Sequence, residues 1–241
     1  MQRNSVGRLP ASDTARTIRP ARRSRRLSVV QTGTSPRARG QALVEFALVI
    51  PIFLVMLMAL IEFTFLMNGQ LSISFATRDA SLVGAEAGNG VGADCVILKQ
   101  VQNDVAPPAN RANITKVLIY RTNDTGQPMD TSGAVTTFGS ATQAVNVYIP
   151  GSTKCDYPDG TSLTVPFVIQ GGIENYPGSA RCNAIRGTAQ GCQAGHPGLD
   201  SIGVQVTYHD SWKTPLSTFI GLSGSGWTLV QSNQMRMEPV L

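Results

Sequence analysis

One apolar run dominates the chain. From Phe46 to Ile61 every residue is apolar or proline, with Ala42–Val44 before Glu45 and Phe63 to Met67 after Glu62. A helix over Ala42 to Met67 would be about 39 Å long, more than the roughly 30 Å hydrocarbon core, so it spans a bilayer with tilt. Pro51 removes the helical hydrogen bond to the Ala47 carbonyl and predicts a kink of the kind neighbouring helices cover in a membrane. Beyond the run, Leu71, Phe75, Leu82 and Ala85 fall on one helical face with no proline between them. That spacing predicts a helix continuing to about Ala87 as a stalk. Ala76, Ala80, Gly84 and Gly88 recur at every fourth residue. The stripe reads equally as a surface for close approach of another helix or as ordinary small-residue usage.

Asp94 stands where it would cap a second helix, with Ile97, Val101 and Val105 on one face and Pro107-Pro108 ending it. The period then changes to two. Apolar positions alternate with polar ones around Val117-Leu118-Ile119-Tyr120, at Val145, Val147 and Ile149, at Ile202, Val204, Val206 and Tyr208, and more weakly from Trp227 to Met237. This predicts an antiparallel sheet with one wet face and one covered by the N-terminal helix, an α+β arrangement. The Gly- and Pro-rich stretches 121–142 and 150–200 are expected to be loops.

With 241 residues the chain holds one compact domain plus an anchor, and 42% hydrophobic residues is ordinary for a folded protein. The net charge of +5 would suggest a nucleic-acid partner if it were spread over a folded surface. Residues 1–40 instead carry ten arginines against Asp13 alone, a formal +9, which leaves −4 for the remainder. A basic tail without aromatics, just before a membrane segment, sets orientation and does not bind nucleic acid. It is read as a disordered cytoplasmic leader, so the C-terminal part is exported. Ser24-Arg25-Arg26-Leu27 lacks the apolar region of a twin-arginine signal, and the nearest small-x-small site, Ala85-Glu86-Ala87, lies far past the apolar run.

Cys95, Cys155, Cys182 and Cys192 all follow the anchor, where disulfides persist. Of three possible pairings, Cys182–Cys192 is preferred by proximity and Cys95–Cys155 by elimination, each stabilising by roughly 2–4 kcal/mol. Zinc on Cys182, Cys192 and His196 would lack a close Cys-x-x-Cys pair. His209-Asp210-Ser211 are neighbours on a strand, so alternate side chains point to opposite faces and cannot form a triad by themselves. Asp156 and Asp159 beside Gly160, and Asp124 and Asp130 around Gly126, have turn spacing rather than that of a calcium loop. No catalytic residue, cofactor or metal is assigned.

The stretch Arg39-Gly40-Gln41-Ala42-Leu43-Val44-Glu45-Phe46, followed by an apolar run to Pro51, resembles the TadE-like family signature. Ile61-Glu62-Phe63, Gln70 and Ala76-Thr77-Arg78-Asp79-Ala80 resemble its second half, and Val204–Tyr208, Pro215-Leu216 and Met235–Pro239 are similar to its C-terminal pattern. The resemblance implies a minor pseudopilin of a tight-adherence (Tad) pilus, with a pilin-like stalk packed on a small antiparallel sheet with disulfide-stapled loops. It implies that a prepilin peptidase cuts between Gly40 and Gln41, and that Glu45, Phe46, Pro51 and Glu62 serve assembly and register. The implied partners are that peptidase, the major pilin, other minor pseudopilins, the assembly machinery and the lipid bilayer. The chain would cross the cytoplasmic membrane once, with the N-terminus inside and residues 91–241 as the exported domain, after a transmembrane segment 41–67 and a stalk 68–90. For Glu45 two readings stay open: pairing with the α-amino group freed at Gln41, or simple snorkelling to the headgroups. An uncleaved anchored binding module is the alternative function.

Overall fold

A long helix that outlasts the membrane run organises the molecule. The computed structural model describes residues 36–190, 192–221 and 224–239. The leader expected over residues 1–40 lies, up to residue 35, outside the described residues. Residues to Ala47 group as one unit and those from Leu48 as a second. Of the first, the described part is Pro36–Ala47, the opening of α1 (Pro36–Ala87). Pro51 lies inside that helix without ending it. Among the described residues, one helix is long and apolar enough to cross a membrane.

In the second unit the rest of α1 is followed by α2 (Ala93–Asp104) and five strands: β1 (Ile114–Thr122), β2 (Val145–Asp156), β3 (Ser162–Ile169), β4 (Ser201–Ser211) and β5 (Gly226–Arg236). The short α3 (Leu216–Phe219) sits between β4 and β5. The strands form one sheet in the order β3-β2-β1-β4-β5, every neighbour antiparallel. The fold is therefore α+β, with the N-terminal helix packed on an antiparallel sheet and two disulfides, as the patterning predicts. Ile97 and Val101 of α2 and Val105 just after it are buried, and with Ile119, Val204 and Val206 they fill the core between helices and sheet. Each such side chain contributes about 1.5–3 kcal/mol by leaving water.

Four expectations need correction. The stretch 150–200 is not all loop, because β2 runs to Asp156 and β3 follows. Pro166 hides β3 in the sequence, but β3 is an edge strand, where proline is tolerated. The Pro150-Gly151 step is absorbed by a register shift between Pro150 and Thr153. Next, Leu71, Phe75 and Leu82 face outward, at 53%, 57% and 43% exposure. Only Ala85 of that predicted face is buried, and the face of α1 that meets the core is Ile73, Ala76, Ala80 and Ala85 with Thr77, Ser81 and Gly84. The small stripe is thus used within the subunit. A Cβ on Gly84 would stand 3.1 Å from Ile97 Cδ1 and 3.2 Å from Ile202 Cδ1, so glycine lets α1 approach α2 and β4 without displacing those two side chains.

Asp94 does not cap α2 either. Gly92, at positive φ, occupies the cap position, and Asp94 sits inside the first turn with its carboxylate turned to other partners. Finally, the far face of the sheet is not wholly wet. Leu118, Tyr120 and Val145 form a second buried cluster, and Phe138 from the loop after β1 packs edge-on to Tyr120 at 5.0 Å between centroids. Gly203, paired with Tyr120 across β1 and β4, leaves room for that ring, since a Cβ there would lie 2.4 Å from Tyr120 Cζ.

Candidate functional site

The residues singled out for processing and register lie on α1. Gly40 and Gln41 are exposed, and nothing stands within 4 Å of a Cβ built on Gly40. The Gln41 Nε2 amide donates to Glu45 Oε1 at 3.2 Å, the one-turn contact that i, i+4 spacing allows on a helix. Phe46 is 64% exposed, and Pro51 is exposed as well. These positions form an open stretch of helix whose large side chains are exposed among the described residues.

Glu62 behaves differently. It is the buried residue of the apolar segment, and its Oε1 accepts the Lys213 N–H at 2.7 Å and the Thr214 N–H as well. Those two amides precede α3, so one carboxylate on the helix pins the loop that follows β4. Two backbone N–H groups converging on one carboxylate oxygen let a single side chain hold this junction.

The cysteines pair as expected, Cys95 with Cys155 and Cys182 with Cys192, at Cα separations of 6.4 and 5.5 Å. The first ties α2 to the end of β2, and the second closes the long loop before β4. With both sulfurs of the zinc reading committed, His196 serves a different group: its Nδ1 lies 2.7 Å from Asp200 Oδ1.

That contact belongs to a buried polar network the sequence reading did not find. Asp200 also accepts from Arg121 Nε at 3.0 Å, from the Cys182 N–H at 3.0 Å and from the Tyr176 hydroxyl at 3.3 Å. The Arg181 guanidinium lies 4.9 Å above the Tyr176 ring centre and pairs with Asp94, which also accepts from Tyr148 OH and Asn146 Nδ2 at 2.7 Å each. The network joins α2, β1, β2 and the loop before β4. Burial, with the Asp94 charge beside it, drives the Tyr148 phenol far above its ordinary range. Burial next to Asp200 does the same to Tyr176. Groups held this way are suited to fixing a loop-rich domain.

The remaining candidates have local partners. His209 Nε2 lies 3.1 Å from Ser225 Oγ, whereas Asp210 pairs with Lys213 at 3.0 Å, so His209, Asp210 and Ser211 do not converge. Asp130 accepts from Ser132 and Ala134, and Asp159 from Thr161, as turn residues do. Those hydrogen bonds, led by the Ser132 and Thr161 hydroxyls, hold both carboxyls below the usual range. Asp156 pairs with Lys154, and the Asp124 carbonyl accepts from Gln234. Among the described residues no group of three histidine, cysteine or acidic side chains is placed to hold a metal ion.

Comparison with known proteins adds one finding to this geometry. Residues 40–82 match the family described as TadE-like protein. No curated protein and no solved structure matches the chain.

Proposed function

We propose, from the TadE-like domain that this chain carries over residues 40–82, that the protein is a non-enzymatic minor pseudopilin of a Tad-type pilus. A prepilin peptidase on the cytoplasmic face cuts between Gly40 and Gln41. The mature chain then stands in the cytoplasmic membrane with its disulfide-bonded domain outside, and its helix packs with the major pilin and other minor pseudopilins during assembly. Phe46 and Pro51 belong to that packing surface, and so do the outward-facing Leu71, Phe75 and Leu82.

The observation that carries the reading is the one-turn contact between Gln41 and Glu45 at the exposed start of the helix. Cleavage after Gly40 would free an α-amino group on Gln41, one turn from the Glu45 carboxylate, in a segment where an unpaired charge costs about 2.5–3.5 kcal/mol. The amine would neutralise Glu45 within one subunit or across to its neighbour and so set the register between helices.

Intact mass and N-terminal sequencing of the membrane-extracted protein, from cells with and without the peptidase, test this directly. A chain beginning at Gln41 only when the peptidase is present is the expected result. An uncut chain in both strains would overturn the proposal and leave an anchored binding module. Glu45→Ala is expected to leave the exported domain's melting unchanged and to abolish or sharply reduce incorporation into pili.

A further inference from the structure

The turn that joins β4 to β5 carries an apolar surface which neither the TadE-like match nor the pseudopilin reading explains. Trp212 and Trp227, the two tryptophans of the chain, lie together there with ring centroids 5.2 Å apart and planes tilted by 59°. A cleft of about 270 Å³ opens between them and α1, lined by Phe63 and Leu66 of α1, by Leu216 and Ile220 around α3, and by the two tryptophans. Phe219, which ends α3, and Ile220 after it are 68% and 50% exposed, and Trp227 is 46% exposed. A soluble domain does not gain by leaving two aromatic rings and a large aliphatic side chain in water.

The height of this surface along α1 identifies what covers it. Glu62, held by the Lys213 and Thr214 amides, docks the turn beside the outer end of the apolar run. The apolar stretch Ala42–Met67 is longer than the about 20 helical residues that cross the hydrocarbon core, so its outer end, where Phe63 and Leu66 line the cleft, reaches the headgroup level. The cleft therefore stands at the water–lipid boundary on the exported side. Its surface continues into Leu60 and Phe63 of α1, 64% and 58% exposed, which face lipid in an anchored chain. Polar groups are arranged on the other side: the Trp212 indole N–H donates to the Gly224 carbonyl at 3.1 Å, and Lys213 pairs with Asp210. Tryptophans with one wet and one apolar side belong at this level of a bilayer.

We infer that the β4–β5 turn is a membrane-interface foot: Trp212, Phe219, Ile220 and Trp227 insert among the headgroups and upper acyl chains of the outer leaflet and hold the exported domain against the membrane. The inference rests on the anchored reading of α1. It gives the domain a fixed tilt and height before assembly, which the helix alone, free to rotate about its axis, does not provide.

Because both tryptophans sit in the foot, fluorescence reads it without a label. The full chain, and its W212F and W227F variants, would be reconstituted in phosphatidylethanolamine–phosphatidylglycerol vesicles containing lipid brominated either high in the acyl chain or near its end. Vesicle flotation would be checked in parallel. The expected result is blue-shifted emission, weak quenching by acrylamide, and stronger quenching by the shallow bromine than by the deep one. Ile220→Asp, at an exposed position the fold does not need, is expected to shift emission to the red and to weaken the bromine quenching. A chain that floats with the vesicles while its tryptophans stay open to acrylamide and insensitive to bromine overturns the foot alone. Tryptophans shielded from acrylamide yet untouched by either bromine, with shielding that grows with protein-to-lipid ratio, assign the cleft to a second copy and also overturn it. A chain that does not float overturns the foot together with the anchor.

Discussion

The two halves of α1 in the second unit use the same helix in opposite ways. From Leu48 to Met67 the large side chains point outward, with Leu48, Ile52, Met56 and Leu60 all more than 60% exposed and Glu62 the single buried residue. From Ile73 to Gly88 the buried positions recur at three- and four-residue steps, and nearly all are small: Ala76, Thr77, Ala80, Ser81, Gly84, Ala85. In the first half the bulk points away from the chain's own core, where, in the proposed membrane-anchored subunit, lipid or neighbouring helices would cover it. In the second half bulk comes from the partner elements, and the helix contributes only proximity. Hydrophobicity along α1 therefore reports what lies outside the subunit, and side-chain size reports what lies inside it.

The largest effect is expected where proximity is tightest. Gly84→Leu inserts a branched side chain where even a Cβ meets Ile97 and Ile202 at 3.1 and 3.2 Å, and neither α2 nor β4 can retreat without opening the core. A loss of about 3 kcal/mol is expected, at the upper end of overpacking costs, with the melting temperature of the exported domain falling by roughly 10 °C. Leu57→Ala, which truncates a large apolar side chain on the outward half, is expected to move that stability by less than about 0.5 kcal/mol. Thermal unfolding in one detergent compares them. Equal destabilisation by the two would break the distinction between the halves.

Glu62 is the exception in the first half and sharpens the boundary between them. Glu62→Ala leaves the Lys213 and Thr214 amides without their acceptor, which costs about 1–3 kcal/mol for a buried group. The loss should be local: faster hydrogen exchange at those two amides, with the core amides of β1 and β4 unchanged. Glu62→Gln keeps an acceptor oxygen and is expected to recover part of the protection. Uniform acceleration across the sheet would mean that the junction supports the whole domain.

The anchor was legible because sixteen consecutive apolar or proline residues need no tertiary information, and α2 because Ile97, Val101 and Val105 combine period with bulk. The stalk's inner face was not, since a search for large apolar residues finds Leu71, Phe75 and Leu82, which face away from the core. Strand β3 was masked by Pro166 and by the Pro150-Gly151 irregularity opposite it. Pro166 is acceptable because β3 is an edge strand, and Pro150-Gly151 because the β2–β3 register shifts there, and neither strand order nor register shift is visible to periodicity. Of the site, Gly40, Gln41 and Glu45 were readable as a local motif, and Glu62 as an acid in an apolar run, but its partners lie more than 150 positions away. The Asp200 network was unreadable for the same reason: Arg121 and Asp200 are 79 residues apart, and only the i, i+4 spacing of His196 and Asp200 hinted at a contact.

The smallest effect concerns charge at the foot of the packed half. Asp104 ends α2 with its carbonyl accepting from Ser72 of α1, and its carboxyl is raised above the ordinary aspartate value. Burial is the main cause; the Gln100 amide, which donates to both carboxylate oxygens, works against it, and the Asp79 charge on α1 adds to it. A carboxyl whose folded pKa lies above its unfolded value of 3.8 contributes stability below that pH and loses it as pH rises through the folded value. At neutral pH the ionised group therefore strains the junction, and its position at a helix C-terminus adds to the cost. Asp104→Asn removes the charge and retains an oxygen for Gln100. The variant should match the wild type below about pH 4 and be slightly more stable at pH 7, a difference that denaturant titrations at the two pH values would detect. Asp79→Asn, which removes only the repulsion, should give a smaller gain of the same sign. A wild type more stable than the Asp104→Asn variant at pH 7 would show that the carboxylate's hydrogen bonds outweigh its burial, and that α2 meets the packed half of α1 through charge as well as through close contact.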